Sequence, residues 1–356
     1  MQRKTVVENG KTKGKILVTG AGGYIGTTLV PMLLEQGYRV RALDRFFFGR
    51  NLLPTHDHLD VVQEDARLIK IDHMQGVDYV IDLVAISNDP SGEQFQQETL
   101  AINCQARVAA ARLAKAAGVK RYILPSSCSI YGFQSADVIA DETTKTNPLT
   151  TYAKANEMAE QAVLPLASEN FTCVVLRQAT VYGFSPRMRF DLAINGMTYG
   201  AWKSGVLPLM RDGTQWRPMV HVKDTARAQI FMLTADPHKI NGQIFNVGSD
   251  QNNYQLGPLA KKVASEVTRI ASRDVKIEWY GEADHRSYRI SFDKISALGY
   301  EALYMAEDGV VDVCEALQTG KIDRTTNTIT LDWYRELIAW HERIRNIEMY
   351  GGVLKI

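Results

Sequence analysis

The chain has 356 residues and is almost neutral, with 41 basic against 40 acidic side chains and a hydrophobic fraction of 45%. This length allows one large or two modest domains, and the hydrophobic fraction is typical of a globular protein. The balanced charge gives no sign of a nucleic-acid or membrane-surface binder. We therefore expect no nucleic acid and no membrane among its partners.

The first residues and the cysteines bear on the cellular compartment in which the protein is expected to work. The start is polar and lacks the apolar stretch of a signal peptide, so residues 1–14 are expected to form a flexible tail. No apolar run is long enough to span a bilayer. The four cysteines are scattered, which is typical of free thiols in a reducing compartment. We therefore expect a cytoplasmic protein.

Short apolar runs alternate with helical patterns from Lys15 onward. Strands are expected, in chain order, at KILVTG, YRVRALD, LDVVQED, VDYVIDLVA, KRYILPSS and FTCVVLRQA. Helices are expected at GYIGTTLVPMLLEQG, at about residues 93–117, and from Tyr152 onward. Strands that alternate with helices predict a parallel sheet covered on both faces, which is the α/β class.

After Gly183 the pattern changes to clustered turn residues and shorter strands. The segment TQWRPMVHVKDTARAQIFML predicts a strand followed by a helix, and LDWYRELIAWHERIRN predicts an amphipathic helix. We expect a first domain over residues 15–183 and a smaller C-terminal substrate-binding domain over most of residues 184–356. A later strand near residues 243–248 fits the first sheet as well.

A glycine-rich segment, VTGAGGYIG, places Gly20, Gly23 and Gly26 between the first strand and the first helix. Glycines are needed where the chain turns tightly and where backbone approaches a pyrophosphate, and the helix N-terminus adds a positive dipole end. Asp44 ends the next strand, where an acid recognises a ribose. The pattern predicts a Rossmann-type doubly wound sheet that binds NAD, although Arg45 would suit the extra phosphate of NADP.

Four motifs taken together resemble the extended short-chain dehydrogenase/reductase family. They are the GxxGxxG turn, DLVA at residues 82–85, SSCSIYG at residues 126–132, and Tyr152 at a helix start. The segments WRPMVHVKD and DHRSYRISFDKISALGY further resemble the NAD-dependent epimerase/dehydratases that act on nucleotide sugars. Beside the glycines and Asp44, the resemblance implies as cofactor-binding residues Tyr24, Ile25, Asp65, Ala66, Leu83, Ala85, Asn103 and Tyr152.

The family carries its chemistry on a serine or threonine, a tyrosine and a lysine, which fall on Ser127, Tyr152 and Asn156. The resemblance implies that Tyr152 is the general acid/base and that Ser127 hydrogen-bonds the same substrate oxygen. Asn156 can hydrogen-bond a ribose but cannot supply the charge of the lysine it replaces. Lys154 lies nearly opposite, because a helix turns about 100° per residue. A less activated tyrosine, a displaced cation and a non-catalytic chain all remain open.

The residues after Ser127 are Cys128 and Ser129, where sugar dehydratases of this family carry an Asp and a Glu. Loss of water from the sugar needs that acid and base, so a dehydratase is not expected. The resemblance implies an NAD-dependent nucleotide-diphosphate-sugar epimerase that acts at carbon 4 through a transient 4-keto intermediate. A ketoreductase or dehydrogenase uses the same residues and remains an alternative, as does an NAD-binding sensor or partner subunit.

Arginines are expected at the substrate, because a guanidinium binds phosphate oxygens in a bidentate way. The resemblance places Arg217 and Arg286 at the substrate diphosphate. Arg187 and Arg189 belong to a loop that can face the same ligand. Thr180 stands where many relatives have an asparagine that contacts the phosphates, so the nucleotide or the sugar is expected to differ from the common uridine cases.

Two further expectations concern metals and assembly. His56 and His58 are close in sequence but lack a third ligand, so no metal site is expected. The helix at about residues 93–117 and the helix from Tyr152 resemble the pair that forms a four-helix dimer contact in the family. We therefore expect a homodimer.

Overall fold

The computed structural model describes residues 12–135, 138–210, 212–282 and 287–346. The strands in this part of the chain are β1 (Lys15–Thr19), β2 (Arg39–Asp44), β3 (Leu59–Gln63), β4 (Tyr79–Asp82), β5 (Arg121–Ser127), β6 (Ile139–Ala140), β7 (Thr172–Gln178), β8 (Thr180–Tyr182), β9 (Val206–Met210), β10 (Trp216–His221), β11 (Gln243–Val247), β12 (Asn253–Gln255), β13 (Lys276–Tyr280) and β14 (Arg289–Ile290).

The α-helices in the same ranges are α1 (Gly26–Glu35), α2 (Asp89–Gln94), α3 (Gln96–Leu100), α4 (Arg107–Ala116), α5 (Thr151–Val163), α6 (Ala193–Ser204), α7 (Val222–Thr234), α8 (Pro237–Ile240), α9 (Leu256–Ala271), α10 (Asp293–Ser296), α11 (Ala306–Gln318) and α12 (Thr330–Asn346). Between α3 and α4 the residues Ala101–Ala106 form a wider π-helical turn.

Seven strands form one sheet in the order β11-β7-β5-β4-β1-β2-β3, and every neighbouring pair runs parallel. The chain leaves β1 toward β3 on one side and then crosses to β4 and onward on the other. This reversal opens a crevice at the carboxyl ends of β1 and β4, which is where doubly wound sheets bind their ligands. The expected Rossmann-type architecture is confirmed.

The two faces of the sheet carry separate apolar cores, because successive strand residues point to opposite faces. On β5, Ile123 packs into one core, while Tyr122 and Leu124 pack into the other. The first core is covered mainly by α1 and α7, and the second by α4 and α5. Buried apolar contacts therefore hold helices to both faces of the sheet, including α1 and α5, which lie at the expected site.

One expected helix differs in detail from the structure, and the expected later strand joins the first sheet. The helix expected at about residues 93–117 is divided, because Phe95 leaves helical geometry with φ −123° and ψ 57° and so separates α2 from α3. The run GQIFNVGS supplies β11, which pairs in parallel with β7 at the edge of the first sheet. The first sheet thus receives a strand from well beyond Gly183.

The second region places small sheets and three packed helices beside the first sheet. Its sheets have the orders β12-β10-β8 and β13-β9. Helices α6, α9 and α11 share a core that includes Ile194, Leu259 and Val310. In the described ranges, no helix combines the length and the apolar character needed to cross a membrane.

Candidate active site

A cavity of about 1300 Å³ lies between the carboxyl ends of the sheet strands and the second region. Single-ligand pockets usually measure about 300–1,000 Å³, so this cavity has room for a dinucleotide and a second ligand. Its walls contain most of the residues expected from the sequence: Gly20, Gly23, Tyr24, Ile25, Gly26, Asp44, Asp65, Ala66, Leu83, Ala85, Ser127, Tyr152, Thr180, Arg187 and Arg217.

The glycine-rich turn is shaped by two close approaches of backbone. Gly20 has φ +66°, and a Cβ there would lie 2.7 Å from the carbonyl carbon of Leu83. A Cβ on Gly26 would lie 2.5 Å from the carbonyl oxygen of Ala21. Larger residues at these two positions would push the turn away from β4 and from α1. The result is a tight backbone cradle at the N-terminus of α1, which fits a dinucleotide pyrophosphate.

Tyr24 fastens this turn to the loop that follows β8. Its hydroxyl donates to the carbonyl oxygen of Gly183 at 2.5 Å and accepts from Asn195 Nδ2 at 3.0 Å. The hydroxyl of Ser185 donates to the Tyr24 carbonyl oxygen at 2.7 Å. The phenol ring therefore serves the wall of the cavity, and its hydroxyl is already engaged within the protein.

Asp44 lies at the cofactor end of the cavity, where its carboxylate accepts from the backbone N–H of Gly22 at 3.1 Å and of Phe46 at 2.5 Å. Burial raises the pKa of Asp44, and the two N–H groups act against that rise. Arg45 donates to Asp65 at 3.1 Å and packs its guanidinium over the Phe47 ring at 4.3 Å. The arginine that would suit a 2′-phosphate is thus already paired with a carboxylate.

Asp65 is occupied by local partners. Its carboxylate accepts from the backbone N–H of Arg67 at 2.9 Å and pairs with that guanidinium at 2.6 Å. The side-chain hydrogen bond from Arg67 lowers the pKa of Asp65. Asn103 is fully buried and does not line the cavity; its amide accepts from Ile86 N at 2.8 Å and donates to Ile86 O at 3.0 Å. Asn103 therefore fixes the loop after β4.

Ser127, at the end of β5, and Tyr152, in the first turn of α5, both line the cavity. The Ser127 side chain lies close enough to the Tyr152 hydroxyl to affect its pKa. Thr150 caps α5 by accepting from Ala153 N at 3.2 Å, which fixes where the helix starts. Burial raises the pKa of Tyr152, whereas the Ser127 side chain lowers it. The pair can hold one substrate oxygen between two hydroxyls.

Asn156 lies on the same side of α5 as Tyr152 but faces the protein interior and is only 1% exposed. Its Nδ2 donates to the Tyr152 carbonyl oxygen at 2.9 Å, and its Oδ1 accepts from Arg107 Nη1 at 3.0 Å. Both polar groups are therefore engaged within the protein. Lys154 is exposed to solvent, so it does not provide the displaced cation.

The residues expected to bind the substrate lie in different surroundings. Thr180 and Arg217 line the cavity, and the Arg217 guanidinium lies 5.4 Å from the centre of the Tyr288 ring. Arg187 also lines it, but packs over the Phe48 ring at 3.7 Å and donates to Thr330 Oγ1 at 2.9 Å. Its neighbours thus lie at the Asp44 end of the cavity. Arg286 falls outside the described residues.

Sequence reasoning missed the ion pair between Arg189 and Asp191, which lies in the cavity wall with distances of 2.8 and 3.0 Å. Arg189 also donates to the Ser87 hydroxyl at 3.1 Å, and Asn88 Nδ2 donates to Asp191 at 2.8 Å. The pair therefore ties the loop after β8 to the loop after β4. The sequence placed Arg189, like Arg187, in a loop that can face the substrate, but it gave no sign of the pairing with Asp191.

Sequence reasoning also missed the part of the wall formed by α12. Tyr334 lines the cavity and lies between the rings of Phe47, Phe48 and Phe95, with centres 6.0–6.3 Å away. Leu337, Ile338 and His341 continue the same wall. The run of three phenylalanines after Arg45 was the available signal, because so much aromatic surface needs a partner.

Other candidate groups stay outside the chemistry. Cys128 is buried, and burial raises the pKa of its thiol, which disfavours the reactive thiolate. His56 and His58 are exposed side by side, with ring centres 5.4 Å apart. Across the described ranges, no cluster of three or more His, Cys, Asp or Glu side chains is arranged to hold a metal ion.

Known proteins share this architecture. UDP-arabinose 4-epimerase 1 of Arabidopsis thaliana is 26% identical over 297 residues, which is 74% of this chain and 69% of that protein. The uncharacterized UDP-glucose epimerase YtcB of Bacillus subtilis (strain 168) is 27% identical over 84% of this chain and 96% of its own. The structure of MoeE5 in complex with UDP-glucose and NAD is 28% identical, with a TM-score of 0.74 over 86% of this chain and 99% of that chain.

The profile of the NAD dependent epimerase/dehydratase family matches residues 16–248, which include the glycine-rich turn, Asp44, Ser127 and Tyr152. The cofactor of this family is NAD, and the cradle at Gly20, the carboxylate of Asp44 and the volume of the cavity fit that dinucleotide. The chain belongs to the NAD-dependent epimerase/dehydratase family.

Proposed function

We propose that this protein epimerises a nucleotide-diphosphate sugar at carbon 4 through a transient 4-keto intermediate. The observation that carries the proposal is that Ser127 and Tyr152 lie together in one cavity with the glycine-rich turn. The relatives named UDP-arabinose 4-epimerase and UDP-glucose epimerase, and MoeE5 with its bound UDP-glucose, support the class of substrate.

Tyr152 handles the proton on the sugar oxygen. Ionised Tyr152 accepts the proton from the 4-hydroxyl as the carbon–oxygen bond becomes a carbonyl, and Ser127 donates a hydrogen bond to that oxygen. NAD, when bound, supplies the acceptor for the two electrons and the hydrogen of carbon 4, and returns them. Tyr152 then gives the proton back to the alkoxide formed on the other face. The reaction is redox-neutral and needs no external reductant.

The neighbours of Ser127 favour epimerisation over dehydration. Cys128 is buried with a raised thiol pKa, and Ser129 is a neutral hydroxyl in the cavity wall. Neither offers the acid and base that loss of water from the sugar requires. The ketone is therefore left to be reduced again, which yields the epimer when the sugar has turned over in the cavity.

The test is a panel of UDP-sugars incubated with the purified protein and followed by proton NMR for the 4-epimer. We expect one member of the panel to epimerise without added reductant, and the Tyr152→Phe variant to be inactive while it still binds NAD. Tyr199→Phe is the matched control, because Tyr199 does not line the cavity and its hydroxyl bonds Asp323. Full activity of Tyr152→Phe would show that another group moves the proton.

Other outcomes of the same panel would favour the alternatives. Turnover that consumes stoichiometric NADH or NAD would identify a ketoreductase or dehydrogenase, which uses the same hydroxyl pair. Bound NAD without reaction on any sugar would favour a sensor or partner subunit. Absorbance of nucleotide released on denaturation measures whether NAD is retained, as a redox-neutral epimerase requires.

The assembly and the location belong to the same proposal. The π-helical turn before α4, α4 itself and α5 present Gln105, Ala109 and Met158 to solvent, and Met158 is 48% exposed. This surface supports a homodimer formed by packing the two helices against a second copy. Light scattering at micromolar concentration should give about twice the chain mass of 39.8 kDa. Four buried free cysteines support action in the cytoplasm.

A further inference from the structure

The helix beside the one that carries Tyr152 contains a buried arginine that the proposed mechanism has not used. Arg107 is 1% exposed and begins α4, directly after the wide turn at Ala101–Ala106. Asn103 and Arg107 are four residues apart and are both buried, so the helix turns two polar side chains inward within an alanine-rich stretch. Burying a guanidinium costs several kcal/mol of desolvation unless specific partners compensate.

The partners of Arg107 join the sheet to α5. Its Nη2 donates to the carbonyl oxygens of Asp82, at 3.0 Å, and of Pro125. Its Nη1 donates to Asn156 Oδ1 at 3.0 Å. The Asp82 carboxylate lies 3.8 Å from Nε, but also accepts from the hydroxyls of Thr19 and Tyr122. The positive charge is therefore held directly against the side chain that stands where the lysine would be.

The charged groups around Tyr152 come from α2, from α4 and from the loop after β8. Asp89 at the start of α2 is negative, while Arg107 on α4 and Arg189 in the loop after β8 are positive. Arg189 is paired in a bidentate way with Asp191, which offsets its charge. Glu93 on α2 accepts from the Thr151 backbone N–H at the helix start. Arg107 is paired more loosely than Arg189, since its carboxylate partner Asp82 lies 3.8 Å from Nε and also accepts from two hydroxyls.

We propose that Arg107 is a positioning residue that supplies, through Asn156, the buried positive charge that favours the ionised form of Tyr152. Asn156 and Arg107 then act as a matched pair, in which the neutral amide leaves room for a cation held by the next helix. This inference rests on the proposed role of Tyr152. The positive charge that a lysine at position 156 would supply then comes from another helix.

The pairing of Arg107 with Asn156 predicts a specific effect of the Asn156→Lys substitution. A lysine there would bring a second cation to about the 3 Å distance at which Arg107 now touches Asn156. The single substitution should therefore lower stability rather than improve the site. Removing the guanidinium at the same time, in Arg107→Met/Asn156→Lys, should relieve that repulsion and return the charge to α5.

The test measures the ionisation of Tyr152 directly, by NMR of NAD-bound protein labelled with 13C at the ζ carbon of tyrosine. Tyr152→Phe identifies the signal. Arg107→Met should raise the titration midpoint of Tyr152 by about one pH unit or more, and Arg107→Lys should leave it within about half a unit. The double variant Arg107→Met/Asn156→Lys should bring it back toward the native midpoint.

An unchanged midpoint in folded Arg107→Met with native NAD content would overturn the proposal, as would a double variant that titrates like Arg107→Met alone. If Arg107→Met does not fold, Asn156→Asp decides: it keeps an acceptor for Arg107, replaces the Nδ2 donor to the Tyr152 carbonyl oxygen with an acceptor, and adds a negative charge. That variant should raise the midpoint, and an unshifted titration again overturns the proposal. The readout needs no substrate, so its failure is distinct from a failure to epimerise any sugar.

Discussion

The indole Nε1 of Trp333 donates a hydrogen bond to the carbonyl oxygen of Phe47 at 2.7 Å and so fastens α12 to the loop that follows Asp44. Arg335 adds bonds of 2.6 and 2.9 Å to Gln94 Oε1 at the end of α2. With Tyr334 against three phenylalanine rings, α12 forms one side of the cofactor end of the cavity.

The Trp333→Phe variant should release NAD faster, because an aromatic ring remains at this position while the hydrogen bond to the Phe47 carbonyl oxygen is lost. A hydrogen bond of this kind contributes about 1 kcal/mol, so we expect a dissociation rate about fivefold higher. Stopped-flow displacement of NAD measures the rate. Trp279→Phe is the control, since Trp279 is exposed on β13 and does not line the cavity. Equal release from both variants would mean that α12 does not retain the cofactor.

Arg187 and Arg217 should divide between the two ligands. Arg187 is 4% exposed, and its Nε and Nη1 have no hydrogen-bond partner within the described ranges. Burial and the charge of Arg189 lower the pKa of Arg187 to about 9, and a bound anion would raise it again. Arg187→Met should weaken NAD binding about tenfold or more, because a buried charged hydrogen bond is lost.

Arg217→Met should weaken substrate binding and leave NAD binding nearly unchanged, since Arg217 belongs to β10 in the second region. Calorimetric titration of nucleotide-free protein with NAD and separately with UDP checks both variants. We expect UDP to bind Arg187→Met about as well as the native protein, and Arg217→Met at least about tenfold more weakly. Loss of UDP binding in Arg187→Met would show that Arg187 binds the substrate, as expected from the sequence.

Asp44→Asn should narrow the preference for NAD over NADP. The carboxylate repels a 2′-phosphate, and Arg45 is held by Asp65, so the native protein should bind NADP poorly. The amide removes the repulsion and weakens the bond to the ribose, so NAD should bind about tenfold more weakly. Asp60→Asn, on the neighbouring strand, is the control. Equal affinity of the native protein for both dinucleotides would refute this role of Asp44.

Asp191→Asn should lower stability at neutral pH. Burial alone would raise the pKa of Asp191, but Arg189 holds it at about 2, below the ordinary value of 3.8. A depressed pKa means that the carboxylate stabilises the fold above its ordinary pKa and that this contribution is lost as the pH falls toward 2. The contribution is about 2 kcal/mol at pH 7.

Urea unfolding at pH 7 and at pH 3 checks this, with the exposed Asp57→Asn as control. The difference between Asp191→Asn and the native protein should shrink at the lower pH. A difference that is equal at both values would mean that the loss comes from packing rather than from the ion pair.

Sequence patterning predicted the sheet because its signals are local. Each buried strand is a short apolar run, and the glycine spacing at Gly20 and Gly26 follows from backbone contacts within one turn. The placement of Ser127 beside Tyr152 also follows from the topology, since β5 and α5 end and begin at the same edge. The site roles of these residues themselves remain predictions.

What the sequence did not reveal depends on contacts between distant segments. Arg107 and Asn156 are 49 positions apart, and Trp333 and Phe47 are 286 apart. Arg107 belongs to an alanine-rich helix, where a charged side chain is usually exposed, and the sequence gave no sign of its buried partners. Asn156 gave the signal that something had changed, but not where the charge had gone.

The central claim is that Tyr152 moves a proton while carbon 4 loses and regains its own hydrogen. The most direct measurement uses UDP-sugars deuterated at carbon 4 and follows the label in the epimerised product by mass spectrometry and NMR. We predict that the epimer keeps its deuterium at carbon 4 without exchange into water. Loss of the label to solvent, or epimerisation at another carbon with the label untouched, would contradict the account.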